Sequence, residues 1–331
     1  MTIQLYSTCP QSKDVPAGRY RAAVTDVARW SEEAGCTGML VYTDNGLVDP
    51  WPVAQTVIEA TTSLAPLVAV QPVYMHPYTV ATQVSSLAYL HGRAVHLNML
   101  AGGFRNDLLA LGDATEHDRR YERTTEYTHI VMDLLRGATV TRAGEHYTVD
   151  RLRLDPPLPP ELLPELLMSG SSPAGLAAAL EVGATPVRYP EPPGETGTRP
   201  DGVDRFGIRI GIIARPRSAD AWEAAHARFP ADRAGRITHR VAMSVSDSHW
   251  HRQLSGRDAG GGPADPYWLG PFQHYKTFCP YLVGDYDEVA AVLARYLEQG
   301  ARTVVLDIPE SPAELKHIGT VADLARESLT P

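Results

Sequence analysis

The segment Ser169-Gly170-Ser171-Ser172-Pro173 follows an apolar run and opens an alanine-rich helical pattern. Serine at the cap and proline at the first helical position mark a helix start. The free N–H groups of such a start, with the helix dipole behind them, attract an anion. Ser171 and Ser172 add hydroxyls, and Gly170 allows close approach. The competing reading is that Ser172 simply caps its own helix. A second candidate set lies in "HLNMLAGGFRNDLLALGDATEHDRRYERTTEY" (96–127). Asn98 is a polar residue at the C-terminal end of a predicted buried strand. Tyr121 lies on the helix-like segment beyond it, where the neighbouring Arg119 and Arg120 read as a solvated pair. His76 and Gln71 fall near the end of another strand, His76 reading equally as a hydrogen-bonded structural histidine.

These residues need a scaffold. Stretches that end in glycine, at Gly35, Gly92, Gly183 and Gly300, are each followed by a β-branched or apolar run. Glycine stops a helix, and a continuous apolar run suits a strand buried on both faces, so the pattern is that of βαβ units. Eight strands are predicted, at 3–8, 37–43, 66–72, 94–100, 165–169, 184–189, 206–214 and 303–308. That number fits an α/β protein of the (β/α)₈ TIM-barrel type, with ligand groups at the C-terminal strand ends. A doubly wound sheet is the alternative, but no G-x-G-x-x-G follows an early strand. Residues 138–164 read as a hairpin insert with a Pro-rich extension, and 232–283 as an irregular lid loop. The Pro- and Gly-rich segment 191–205 stands where an outer helix is expected, so one outer helix is expected to be missing. The whole chain is expected to be one domain.

Composition narrows the function. The 331 residues are 44% hydrophobic and carry a net charge of −9. With no dense Lys/Arg block, neither nucleic acid nor anionic membrane is an expected partner. Cys9, Cys36 and Cys279 fit neither a disulfide framework nor zinc spacing, and no metal is expected. The N-terminus lacks the pattern of a signal peptide and no apolar run is long enough to span a membrane, so the cytoplasm is the expected location.

The stretches "HPYTVA", "NMLAGG", "HDRRYERTTEY" and "SGSSPA", in this order and spacing, resemble the bacterial luciferase-like flavin monooxygenases, particularly the alkanesulfonate and long-chain alkane monooxygenase branch. "FGIRIGIIARPRSADAWEAA" and "VGDYDEVAAVLARYLEQG" extend the likeness over nearly the whole chain. The resemblance implies a TIM barrel binding FMN. Gly170, Ser171 and Ser172 would hold the phosphate, and Asn98, Ala101 and Tyr121 would face the flavin. It further implies reduced FMN supplied by a separate NAD(P)H:flavin reductase, reaction with O₂ through a flavin peroxide, and a homo-oligomer, dimer or tetramer. The absence of a nicotinamide motif agrees with this division of labour.

The departures bear on the substrate, an organic small molecule. Where the alkanesulfonate branch has a histidine after strand 1, this chain has Ser12, and Leu47 replaces a cysteine after strand 2. Arg209 is kept, but the histidine two residues on is Gly211, and a threonine after the strand-4 asparagine is Ala101. The Tyr-Pro-His after strand 8 reads Ile308-Pro309-Glu310, and the loop arginine aligns near Tyr275. With Gln71, the residues Leu47, Gly211 and Tyr275 are the candidate substrate pocket. Arg209 and His76 are the candidate catalytic groups, Arg209 reading equally as a salt bridge to an acidic loop. Losing so many donors argues against an alkanesulfonate. F420-dependent hydride transfer and a non-catalytic flavin-binding subunit remain the alternatives. A sugar-phosphate lyase or isomerase shares only the phosphate loop.

Overall fold

The computed structural model describes residues 3–192, 199–200, 202–244, 249–262 and 265–329. In chain order the first half contains β1 (Gln4–Thr8), α1 (Ala17–Glu33), β2 (Gly38–Val41), α2 (Pro50–Ala60), β3 (Ala65–Val70), α3 (Pro77–His91), β4 (His96–Met99), α4 (Arg105–Ala110), α5 (His117–Leu135), β5 (Val140–Ala143) and β6 (Thr148–Leu152). There follow β7 (Leu166–Ser169), α6 (Pro173–Glu181), β8 (Thr185–Arg188), β9 (Phe206–Arg215), α7 (Ser218–Arg228), α8 (Arg233–Ser244), α9 (His249–Ser255), β10 (Gly260–Gly262) and β11 (Asp265–Trp268). The chain closes with α10 (Gly270–Gln273), β12 (Tyr281–Asp285), α11 (Tyr286–Glu298), β13 (Ala301–Leu306) and α12 (Pro312–Glu327).

Strands β1, β2, β3, β4, β7, β8, β9 and β13 are the eight parallel strands of a (β/α)₈ barrel. They coincide with the eight predicted strands. The chain divides into two compact units. One comprises Cys9–Arg29 and Gly38–Pro186, the other Met1–Thr8, Trp30–Thr37 and Val187–Pro331.

In the first unit β2, β3, β4 and β7 pair in parallel, with Asn98 of β4 opposite Ala69 of β3 and Leu167 of β7. Every residue of β2, β3 and β4 is buried, and β2 and β3 accordingly run apolar without alternation. Helix α2 packs on β2 and β3, α3 and α5 pack on each other, and Gly92 at φ +64° ends α3 with its N–H bonded to Ala88. The insert forms the expected antiparallel hairpin of β5 and β6.

In the second unit β9 is paired on one side with β13, which pairs in turn with β1. Its second half runs parallel to β12, with Gly211 opposite Tyr281. Strands β11 and β10 extend this edge in antiparallel fashion. The region 232–283, expected to be irregular, therefore carries α8, α9, α10, β10, β11 and the start of β12 among its described residues, while 245–248 and 263–264 lie outside them. Segment 191–205 contains no helix among its described residues, and 193–198 and 201 fall outside them.

Candidate functional site

The candidate residues fall into two sets, one in each unit. In the first unit Pro173 fixes the opening turn of α6 and the Ser172 hydroxyl accepts from the Gly175 N–H at 3.1 Å. Ser172 thus caps its own helix. The Ser171 hydroxyl oxygen beside it is buried without a hydrogen-bond partner. A buried hydroxyl left unmatched is a group awaiting an acceptor or donor.

Tyr121 closes over this turn. It is buried and hydrogen-bonded to Ser172. A Cβ on Gly170 would stand 2.4 Å from the Tyr121 hydroxyl, and one on Gly175 would stand 3.0 Å from it. Gly170 leaves the room the phenol needs to reach the loop, and at Gly175 a side chain would press on the ring. Burial pushes the Tyr121 phenol up, against the Ser172 hydrogen bond and the Arg120 charge, so it is a donor at neutral pH.

Neighbouring strand ends complete the set. The Ser169 hydroxyl donates to the Asn98 amide oxygen at 2.9 Å. Ala101 is buried, and Gly102 turns at φ +93° with Gln71 Oε1 3.2 Å from where its Cβ would lie. Arg120, read from sequence as solvated, is instead 2% exposed. Its guanidinium donates to the Thr115 carbonyl at 2.9 Å and the Gly102 carbonyl at 3.5 Å, so it braces the loop after β4. Helical phase holds the signal for it, because Arg120, Thr124, Tyr127 and Thr128 share the buried face of α5. Arg119 is on the surface as expected, bonding Glu122 and Glu145. These two carboxylates and His146 come close enough to share a cation, a grouping that spacing does not reveal. Arg119 already supplies their positive charge.

Gln71 and Leu47 line a cavity of about 400 Å³ with Trp51, Tyr74 and Met75, in the loops that follow β2 and β3. Tyr74 donates to Asn45 at 2.6 Å, Asn45 to the Asp107 carbonyl at 3.0 Å, and the Val48 N–H to Ser12 at 3.0 Å. Ser12 and Leu47, two of the departures, therefore belong to one wall. Asp44 is also in this wall. Burial and the Asp44 charge raise the Asp107 carboxyl, while burial and both carboxylates push Tyr74 up to about 12. His76 stands apart as the exposed N-cap of α3, its Nδ1 accepting from the Tyr78 N–H at 3.2 Å.

In the second unit Arg209 meets Asp307, which follows β13, at 4.0 Å, each side chain about one-tenth exposed. Arg209 is thus in the salt bridge to an acidic loop that was its alternative reading. Asp307 Oδ1 accepts from the Ile308 N–H at 2.9 Å, and Oδ2 from the Tyr281 hydroxyl at 2.8 Å and from Thr277. Gly211 explains its own lack of a side chain: a Cβ there would lie 2.2 Å from the Tyr281 ring. Buried beside them, the Cys279 thiol is pushed up to about 12 by desolvation, against the Arg209 charge, so it is no nucleophile at neutral pH. Cys9, buried in the first unit, is likewise raised to about 12. Tyr275 adopts a positive φ of 57° with its ring against Phe278, so it belongs with the 270–278 segment. Glu310, where a histidine was expected, pairs with Arg228 at 3.3 Å.

The quoted motifs thus lie at the N-termini of α3 and α6, on α5 and at the C-terminal end of β4. Residues 1–303 match the luciferase-like monooxygenase family. The chain belongs to that family. It is a flavin-dependent monooxygenase by class. Over 331 residues it is 32% identical to the 4-(gamma-L-glutamylamino)butanoyl-[BtrI acyl-carrier protein] monooxygenase BtrO of Niallia circulans, covering 97% of this chain and 97% of that one. Among solved structures it is similar to the long-chain alkane monooxygenase LadA, at TM-score 0.74 and 16% identity, over 100% of this chain and 93% of LadA. An F420-dependent secondary alcohol dehydrogenase in complex with an F420-acetone adduct follows at TM-score 0.69 and 16% identity, over 98% of this chain and 100% of that one. The two structural likenesses establish the fold. None of the described helices is long and apolar enough to cross a membrane.

Proposed function

We propose that this chain is the oxygenating component of a two-component, FMNH₂-dependent monooxygenase whose substrate is an acyl group borne on a carrier protein. The observation that supports FMN is the buried, unmatched Ser171 hydroxyl at the start of α6, beside Tyr121 and Gly170. A phosphate would take that hydroxyl and the Ala174 amide, which has no acceptor within its own helix. Asn98 and Ala101, at the end of β4, would meet the ring system. When bound, FMNH₂ would supply the two electrons and two protons with which O₂ gives one atom to a substrate C–H and leaves the other as water.

The residues themselves bind, orient and exclude water. Tyr121 closes the cradle with a neutral hydroxyl. Arg120 holds the loop that carries Ala101 and Gly102, and the Gln71 side chain lies against that loop from just after β3. The cavity at Leu47, Trp51 and Met75 presents apolar surface suited to an acyl chain. An alkanesulfonate would add a negative charge beside Asp44 and Asp107, which supports the expectation that it is not the substrate. BtrO acts on an acyl group held by a carrier protein, and identity over nearly the full length of both chains supports the same class here.

Anaerobic titration with FMNH₂, and separately with reduced F420, tests the cofactor. Wild type should bind FMNH₂ and consume it with O₂. Ser171→Ala should weaken binding about 10- to 100-fold, the worth of one hydrogen bond to a charged group. Tight F420 binding with no response to FMNH₂ refutes the reading.

A further inference from the structure

The connection between β9 and β12 contains a helix, α8, that carries an exposed outward stripe. Helix α8 is seated by its inner face. Gly235 lies so close to the 270–274 turn that a Cβ would stand 2.1 Å from the His274 carbonyl oxygen. His239 is buried with its ring 4.7 Å from that of Phe272, and its Nε2 is 2.9 Å from the Ser255 hydroxyl. The opposite face carries Arg233, Arg236, Ile237, Arg240 and Val241, all exposed. Their spacing of i, i+3, i+4, i+7 and i+8 makes one stripe. Ile237 is 50% exposed and Val241 62%.

This reverses the usual amphipathic plan, in which large aliphatic residues turn inward. Single exposed aliphatics are ordinary. Two on successive turns, flanked by three arginines, form a small apolar centre with a basic rim. The charge is also opposite to that of the protein as a whole, which carries −9. Asp232, at the start of the helix, is the one acid within 232–244, and Lys276 pairs with it at 2.6 Å. Arg236 keeps its place by donating from Nε to His274 Nε2 at 2.9 Å.

We propose that this face of α8 docks the acidic carrier protein that delivers the acyl substrate, an inference that rests on the substrate class proposed above. Acyl carrier proteins are small acidic helical domains, and an arginine-rimmed aliphatic stripe is complementary to such a surface. The position agrees. The 270–277 segment against which α8 packs continues into Thr277, which bonds Asp307 at the C-terminal end of β13. Within this unit α8 thus stands on the segment that leads to the C-terminal end of β13.

The probe is the phosphopantetheinylated BtrI acyl-carrier protein, titrated against the full chain at low and physiological salt. A free pantetheine thioester of the same acyl group is assayed in parallel. Wild type should bind the carrier, more weakly as salt rises. Arg233→Glu with Arg240→Glu should weaken binding about tenfold or more, and Ile237→Ser should weaken it by several-fold. Turnover of the free thioester should be unchanged in both variants. Carrier binding that ignores these substitutions overturns the proposal, as does oxidation of the free thioester by a wild type that does not bind the carrier. If neither thioester is oxidised by an enzyme that does bind FMNH₂, the substrate reading fails and the docking site with it. Charge-dependent binding of α8 to anionic vesicles, with no carrier bound, would assign the face to a membrane instead.

Discussion

Gly211 is the position where a physical cause replaces a missing motif. Adding one methyl group there places a carbon 2.2 Å from the Tyr281 ring, well inside van der Waals contact. The ring cannot yield cheaply, because Tyr281 is fully buried and its centroid lies 5.0 Å from that of Phe229. Overpacking of this kind costs about 1–3 kcal/mol. If the ring turns away, its hydroxyl also leaves Asp307, a charge-assisted bond worth about 1.5–3 kcal/mol. Gly211→Ala should therefore destabilise the protein by about 3–5 kcal/mol, a large part of the roughly 5–15 kcal/mol typical of a folded domain. Urea unfolding followed by far-UV CD and tryptophan fluorescence measures this, provided the two probes coincide. A cycle with Tyr281→Ala isolates the cause. With the ring gone, Gly211→Ala should be nearly neutral, giving a coupling energy of about 2 kcal/mol or more. A wild-type cost below about 0.5 kcal/mol, or an equal cost in both backgrounds, would refute the reasoning.

Three other outcomes are expected. Asp113 is bonded by Arg123 at 2.6 Å, and although burial alone would raise it, Arg123 and Thr115 bring it down to about 2. Its contribution of about 2 kcal/mol is present above about pH 4 and lost as pH falls from about 4 to 2, so Asp113→Asn should flatten stability over that window. Arg120→Met should cost about 2 kcal/mol by leaving the Thr115 and Gly102 carbonyls unbonded, and Arg120→Lys, which lacks the planar fork, should restore little of it in thermal melts. Asp44→Asn removes a neighbouring negative charge and should lower the Asp107 pKa toward the usual carboxylate value, read by NMR titration; an unchanged value would refute the coupling.

The barrel was legible because strands such as β2, β3 and β13 are largely apolar runs and several follow a helix-stopping glycine. Strand β12 was not, because Tyr281–Asp285 begins inside a stretch otherwise rich in turn residues and contains a glycine itself. Helix α8 was missed for a related reason. Gly235, Ile237, Thr238 and Val241 give it weak intrinsic helix propensity, and its seat on the 270–274 turn is a tertiary fact. At the site, Ser172, Pro173 and Tyr121 could be read locally, since a cap and a helical phase are short-range patterns. The unmatched Ser171 hydroxyl could not, because burial depends on what the fold places above it. Arg120 was within reach, one residue from Tyr121 on the same buried face.

Sequence comparison registers the strand-7 and strand-8 departures as losses: no histidine at 211, no Tyr-Pro-His after 307. Taken as losses, they favoured a non-catalytic subunit. The fold shows an exchange instead. Tyr281 occupies the space that a side chain at 211 would fill, and it comes from a segment seventy residues later in the chain. Its hydroxyl, Thr277 and the Ile308 N–H converge on Asp307, which faces Arg209. A carboxylate receiving three donors beside a guanidinium is fixed in orientation, and it fixes the arginine in turn. The polar inventory near Arg209 is thus rebuilt from β12 and β13, with its charge changed from neutral or basic groups to an acid. An inactive subunit is no longer implied by missing polar groups. A sulfonate is disfavoured further, since a buried acid now stands where an anionic substrate would want donors.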